Sequence, residues 1–239
     1  MTDTKDSSQE EPLDPFFRAA FSIDLALFTY HDDRLKVLLS RKQEPMFEGR
    51  EGLPGMLIYP NQDTGEALAE LAREAIGTDD LYRRQLRAFS SLGRHPQGRV
   101  VTIAYLGLIP FEDVQLPDDS FYWSELEEVS DLSYDHDRIL ESAKQRFTSS
   151  LLNEPTVFEV LPDEFILRDV IRVYELAFSE ALDYPNFRRQ LRSSGLLLPT
   201  GEIRDQAGKS GRPPEVYRFD RAAYHGASRQ AIGFHLTAK

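Results

Sequence analysis

Residues 53–77 read LPGMLIYPNQDTGEALAELAREAIG, a loop followed by a helix. Pro54, Gly55 and Pro60 punctuate the first half around one short apolar run, Met56-Leu57-Ile58, which predicts a long loop carrying a short strand. From Gly65 the pattern turns to Ala, Leu and Glu. Leu68, Leu71, Ala72 and Ala75 share one stripe, which predicts an amphipathic helix over 65–76. Gly77 ends it, because a left-handed cap favours the residue that lacks a Cβ.

Outward from this stretch the chain is mixed. Ile23, Leu25, Leu27 and Thr29 alternate with Asp24, Ala26 and Phe28 at strand period; His31-Asp32-Asp33-Arg34 breaks the run and Leu35 to Leu39 resumes it, as a hairpin does. Downstream, Leu86 to Leu92 predicts a strand, Arg94 to Arg99 a loop, and Val100 to Ile109 a buried strand. Phe121-Tyr122-Trp123 opens a short strand or turn, and residues 137–152 carry Ile139, Leu140, Ala143, Phe147 and Leu151 on one helical face. Asn153-Glu154-Pro155 is a candidate junction. Beyond it come an apolar segment (157–161), a helix over 166–178, a second from Asn186 to Arg192, and strands at 196–198 and 216–219. Between those strands, Thr200 to Pro214 is polar and holds Arg204, Lys209 and Arg212. Helix, helix and hairpin with a basic tip is the winged-helix arrangement. Residues 1–14 are polar and acidic, the composition of a disordered tail, and 221–239 form a C-terminal extension.

Composition narrows the function classes. With 239 residues, 41% hydrophobic and 28% charged, the chain has an ordinary globular balance for one large or two ordinary domains. No run approaches the length of a membrane-spanning helix, and the N-terminus lacks the basic start and apolar stretch of a secretory signal. The absence of cysteine excludes disulfides and thiolate chemistry and suits the cytoplasm. The net charge of −12 hides an asymmetry: residues 184–239 hold ten Lys and Arg against four Asp and Glu, leaving 18 against 36 in the rest. A basic C-terminal quarter on an acidic body fits a nucleic-acid reader, with chance and solvated surface as the plain alternative.

Residues 53–77 resemble a Nudix box, G-x5-E-x7-R-E-U-x-E-E-x-G-U, introduced by Leu-Pro-Gly. In that family the box carboxylates hold Mg²⁺, which polarises a pyrophosphate and activates water. Leu53-Pro54-Gly55 and Gly77 are present, but counting back from Gly77 puts Gln62, Leu71 and Ala75 at acidic positions and leaves Glu74 alone. Sliding the register by one recovers Glu70 and Glu74 but puts Asn61 and Arg73 at acidic positions. Neither frame supplies a metal cluster, so no metal and no hydrolysis are expected. An ordinary amphipathic helix remains the alternative for these residues alone.

Residues 93–106, GRHPQGRVVTIAYL, resemble the R-D-P-R-G-R-V-V-S-V-A-Y segment of one Nudix branch, the Nudix-related transcriptional regulators of NAD metabolism. His95 stands for the usual Asp and Gln97 for the usual Arg. Two arginines on a stiffened turn, Arg94 and Arg99, can fork onto diphosphate oxygens, and Gly98 permits close backbone approach. A solvated turn whose arginines pair with the acidic body is the other reading. Arg41 matches a basic position of the branch and, with Glu74, joins the expected ligand-binding set. Leu161 to Leu167 is similar to that branch's L-P-x-x-F-T-L, residues 186–189 to its N-F-R-R, residues 211–219 to its G-R-P-A-x-L-Y-R-F, and Tyr134-Asp135-His136 to its F-D-H. His136 is read as a hydrogen-bonding residue at the junction.

The resemblance implies an α+β chain: a Nudix-like α/β/α sandwich with a mixed sheet over 15–152 and a winged helix-turn-helix domain over 153–220. It implies a homodimeric repressor of NAD metabolism that binds ADP-ribose as effector, with no cofactor, and a palindromic double-stranded DNA operator. Asn186, Arg188, Arg189 and Arg192 on the recognition helix and Lys209 and Arg212 on the wing are the expected DNA contacts. The rival is an ADP-ribose hydrolase whose appended helices serve dimerisation. A pure protein-interaction module would leave the basic tail without a role.

Overall fold

The computed structural model describes residues 19–41, 50–204 and 213–226. Strands β1 (Ala20–His31) and β2 (Arg34–Arg41) form the predicted hairpin, with Phe28 opposite Val37 and His31 opposite Arg34. Asp32 and Asp33 turn the corner with φ of 53° and 59°, the paired positive φ of the tight turn whose twist matches its strands. β1 then runs parallel to β6 (Val100–Leu108), from Ala20 against Val100 to Phe28 against Leu108. Around this pair the sheet is mixed. β3 (Glu51–Gly52) and β7 (Phe121–Glu125) lie against β2, β4 (Gly55–Leu57) against β1, and β5 (Tyr82–Phe89) against β6.

Period 2 sorts β1 between two helical layers. Ile23, Leu25 and Leu27 face α1 (Thr64–Ile76) and pack with its Leu68, Leu71 and Ala75. Ala26, Phe28 and Tyr30 face α2 (His136–Asn153), where Phe147 meets Phe28 edge to face at 5.9 Å. This is the expected α/β/α sandwich. Helix α1 owes its sharp start to Asp63, whose carboxylate accepts from the N–H groups of Gly65 and Glu66 while Glu66 accepts from the Asp63 N–H. Gly77 ends it in a left-handed conformation, φ 78°.

After α2 come β8 (Phe165–Ile166), α3 (Leu167–Phe178), α4 (Tyr184–Ser193), β9 (Leu197–Ile203), β10 (Glu215–Phe219) and a short α5 (Arg221–Gly226). The three strands pair antiparallel in the order β8-β10-β9, so helices and hairpin make the expected winged helix. Phe187 and Leu191 of α4 turn inward, as their stripe predicts. Several element bounds differ from expectation. β5 begins at Tyr82 rather than Leu86, because an edge strand open to solvent carries Arg and Gln instead of an alternating apolar pattern. β9 continues to Ile203, paired with Glu215, which shortens the hairpin loop. α5 is a further helix in the stretch taken as an extension.

The hydrophobic core does not stop at residues 153–155. Phe28 and Leu106 of the sheet, Phe147 and Leu151 of α2, Val157 and Phe158 of the turn after it, and Val170, Tyr174 and Phe187 of the winged helix belong to one contiguous cluster. Tyr174, wholly buried, donates its hydroxyl to the Leu151 carbonyl at 2.8 Å. We therefore expect calorimetric unfolding to give one cooperative transition for both parts; two transitions separated in temperature would contradict the shared core. Tyr174→Phe leaves the Leu151 carbonyl without that donor and should destabilise the whole chain by roughly 1–3 kcal/mol, read from its denaturation midpoint.

Candidate functional site

At the N-terminal ends of the parallel strands β1 and β6, the first residues of β1, strand β4, the 94–99 loop and residues 134–136 enclose an open cleft of about 570 Å³. At its base sits Asp24, a carboxylate within the otherwise apolar β1 run and only 5% exposed. Arg94 reaches it from the loop, Nη2 to Oδ2 at 3.3 Å, and also holds Asp135, with Nε 3.0 Å from Oδ1. The imidazole of His136, the first residue of α2, lies behind Asp24, with Nε2 3.4 Å from Oδ1. Its Nδ1 accepts the Leu53 N–H at 2.9 Å, which puts the ring proton on Nε2, facing Asp24.

The Leu-Pro-Gly loop is built around this carboxylate. A Cβ on Gly55 would sit 2.2 Å from Asp24 Oδ1 and 3.0 Å from the Ile23 carbonyl, so only glycine passes there. The Pro54 carbonyl accepts from the Leu25 N–H at 2.9 Å and closes the loop against β1. Burial by itself pushes the Asp24 carboxyl up, but His136, through charge and hydrogen bond, and Arg94 outweigh it and hold the group at about 2, below the ordinary 3.8.

The loop places its two arginines differently. Arg94 is buried and two of its three nitrogens are committed to carboxylates, so it anchors the loop rather than standing free for an anion. Arg99 is exposed at the rim, where Nη1 donates to the Ser90 carbonyl at 2.6 Å. Gly98 has φ of 153° and open space around its missing Cβ, so its backbone is accessible from the cleft. His95 stacks on Tyr134 at 5.2 Å and 16°, forming an aromatic wall. Arg41 and Glu74, both expected here, do not line the cleft. Arg41, at the C-terminal end of β2, lies over the Tyr122 ring and donates to the Asp119 carbonyl, and Glu74 points to solvent from α1. The pattern could not reveal this, because a basic residue at a strand end and an acid on a helix have no direction until the strands are registered. In the frame ending at Gly77, the acid positions occupied by Leu71 and Ala75 face the core, and Glu70 accepts from Gln62 at 2.6 Å. Among the described residues, no group of three or more acidic, His or Cys side chains is placed to hold a metal. Sequence reasoning missed Asp24; its signal was a charge in the middle of an apolar strand.

In the winged helix, Asp183 caps α4 by accepting from the Asn186 N–H at 3.4 Å, and Asn186 Oδ1 accepts from Arg189 at 2.7 Å. Arg188 is exposed on the same helix. Arg192, one turn beyond Arg188, lines one cleft with it but is already engaged. It is ion-paired with Glu215 and donates to the Tyr217 hydroxyl, 2.7 Å from Nη2, so it braces α4 against the wing. Lys209 and Arg212 lie outside the described residues. Much of the basic excess read from the sequence is spent internally: Arg204 pairs with Asp169 at 3.0 Å, Arg218 with Glu164 at 2.5 Å and Arg221 with Glu159 at 2.7 Å.

Three comparisons bear on this arrangement. Residues 157–219 match the NrtR DNA-binding winged helix domain. The chain is 27% identical over 205 residues to the ADPR responsive transcriptional repressor NtrR of Acinetobacter baylyi, covering 83% of this chain and 81% of the relative. Its fold matches the crystal structure of Shewanella oneidensis NrtR complexed with a 27mer DNA, with a TM-score of 0.74 at 28% identity over 83% of this chain and 93% of that one. The NUDIX domain of that Shewanella protein, solved with ADP ribose, matches at 30% identity and a TM-score of 0.50, covering 56% of this chain and 92% of the domain.

Two outcomes follow from the Asp24 cluster. Because its folded-state value lies below the ordinary one, Asp24 stabilises the fold fully above about pH 4 and loses that contribution as the pH falls towards 2, on the order of 2 kcal/mol in all. Denaturant midpoints measured across that range should fall for the natural protein, and Asp24→Asn should start lower and lack this portion of the fall. Gly55→Ala should cost about 1–3 kcal/mol through the Cβ forced onto Asp24; an unchanged midpoint would show that the loop can step aside.

Proposed function

Because the chain belongs to the NrtR family of Nudix-related winged-helix regulators, we propose that it is a homodimeric, cytoplasmic repressor of NAD-metabolism genes whose operator binding is weakened by ADP-ribose. In this reading residues 15–152 form the sensor and 153–220 the reader, with 1–14 as a tail and 221–239 as an extension. A dimer presents two α4 helices to the half-sites of a palindrome about one helical turn apart.

The observation that carries the proposal is the unbroken line from the cleft to the reader. Arg94 in the cleft holds Asp135, the residue before α2, and Leu151 near the far end of α2 accepts from Tyr174 of α3. A diphosphate seated against Arg99 and the Gly98 backbone competes with Asp24 and Asp135 for the Arg94 guanidinium. The contest shifts the start of α2, and the shared core carries that shift into the placement of α4. A coupling of about 1–3 kcal/mol, or 5–150-fold in DNA affinity, is the usual scale of such linkage. Hydrolysis is not part of the proposal, since Leu71 and Ala75 are core residues where two carboxylates would be needed.

Calorimetric titration of ADP-ribose, alone and with an operator duplex selected from a random pool, tests the coupling, since reciprocity requires DNA to weaken ADP-ribose by the same factor that ADP-ribose weakens DNA. Tight ADP-ribose binding with unchanged DNA affinity would refute the sensor. Arg99→Ala should weaken ADP-ribose by about 1.5–3 kcal/mol while leaving DNA affinity intact. With Mg²⁺ and ADP-ribose no AMP should accumulate; turnover near the enzyme median of about 10 s⁻¹ would make the chain a hydrolase.

A further inference from the structure

The described residues between 157 and 226 include eight arginines. Six are engaged by a carboxylate or a side-chain amide, which is the expected state in a chain with 40 acidic residues against 28 Lys and Arg. Arg168 and Arg188 are the two with no hydrogen bond or ion pair among the described residues, and both are exposed. They do not lie at random: both line one cleft of about 540 Å³ between α3, α4 and the base of the wing, together with the half-exposed Tyr184.

Arg168 is also in an unfavourable place for a cation. It is the second residue of α3, where the unsatisfied N–H groups make the helix end positive and favour an acid instead. Neither pairing nor helix stability accounts for it. Two unneutralised guanidinium forks beside a phenol hydroxyl form a receptor for a phosphodiester, because the fork matches two phosphate oxygens at once. We propose that Arg168 and Arg188 clamp a backbone phosphate of the bound DNA. Arg192, the other recognition-helix arginine that lines the same cleft, is already bound to Glu215 and Tyr217. The clamp rests on the DNA-reading function proposed above. It fixes the depth and tilt at which α4 enters the major groove and carries no base information itself.

The test uses the full-length protein and a labelled random-sequence duplex, with affinity measured by anisotropy at several salt concentrations. Removing one phosphate contact should make the slope of log K against log salt shallower by about 0.9, with a several-fold loss of affinity at low salt. Arg168→Ala should show both effects, and Arg168→Lys should restore the slope because the charge remains. Thermal midpoints of both variants should equal that of the natural protein, since Arg168 makes no described contact that supports the fold. If the natural protein binds DNA with a steep salt dependence and Arg168→Ala has the same slope, the clamp is refuted and the reader stands. If Arg168→Lys flattens the slope as much as Arg168→Ala does, the effect does not follow the charge and the phosphate assignment is again refuted. If the natural protein binds no duplex at low salt, it is the reader itself that fails.

Discussion

A carboxylate set into a strand that is apolar on both sides needs an answering charge, and Asp24 is answered by Arg94 at 3.3 Å. Much of the cleft's construction follows from that contact. Arg94 pins the start of the 94–99 loop, and Asp135 shares its guanidinium and so fixes where α2 begins. His136 completes the ring by orienting Asp24 on one side and receiving the Leu53 N–H on the other. Four segments distant in sequence thus meet at one carboxylate. Removing a single member of such a group leaves an uncompensated buried charge, which is why cost and function are hard to separate there.

The same economy of charge shapes the reader. Arg192, Arg204, Arg218 and Arg221 each cross from one element to another to find an acid, tying α4 to the wing, the end of β9 to α3, β10 to the segment before β8, and α5 to the turn after α2. All four sit at partly exposed positions, where an isolated pair contributes little. Their effect lies in holding a small three-stranded sheet in register with the helices above it.

The fold was largely legible because its signals are local. Period 2 in β1, the 3.6 stripe of α2, Gly77 and the polar break between β1 and β2 each depend on a few neighbouring residues. Strand β5 was harder to see, since an exposed edge carries no apolar alternation. The site was legible by motif but not by role. Residues 94–99 resemble an anion loop, with a solvated turn as the other reading, and whether Arg94 faces a ligand or a carboxylate depends on Asp24, 70 positions away. That Arg41 and Glu74 stand off the cleft and that Arg192 is held by Glu215 was hidden for the same reason: charge is visible in a sequence, and its partner across the fold is not. Arg168 went unnoticed because it belongs to no motif and becomes conspicuous only when, among the described residues, every neighbouring arginine but Arg188 is seen to be paired.

The winged helix in this chain is not a portable module. Val170, Tyr174 and Phe187 are buried against Phe147 and Leu151 of the preceding helix as well as against one another, and the Tyr30 N–H reaches the Val160 carbonyl at 3.4 Å from the sheet side. A chimera that grafted residues 157–219 onto a different sensor would inherit an apolar seat with nothing to fill it, and would need α2 and the end of β1 as well. In a chain built this way, changes to the cleft or the recognition helix in place spare the core, whereas recombination at the sequence boundary cuts through it instead of around it.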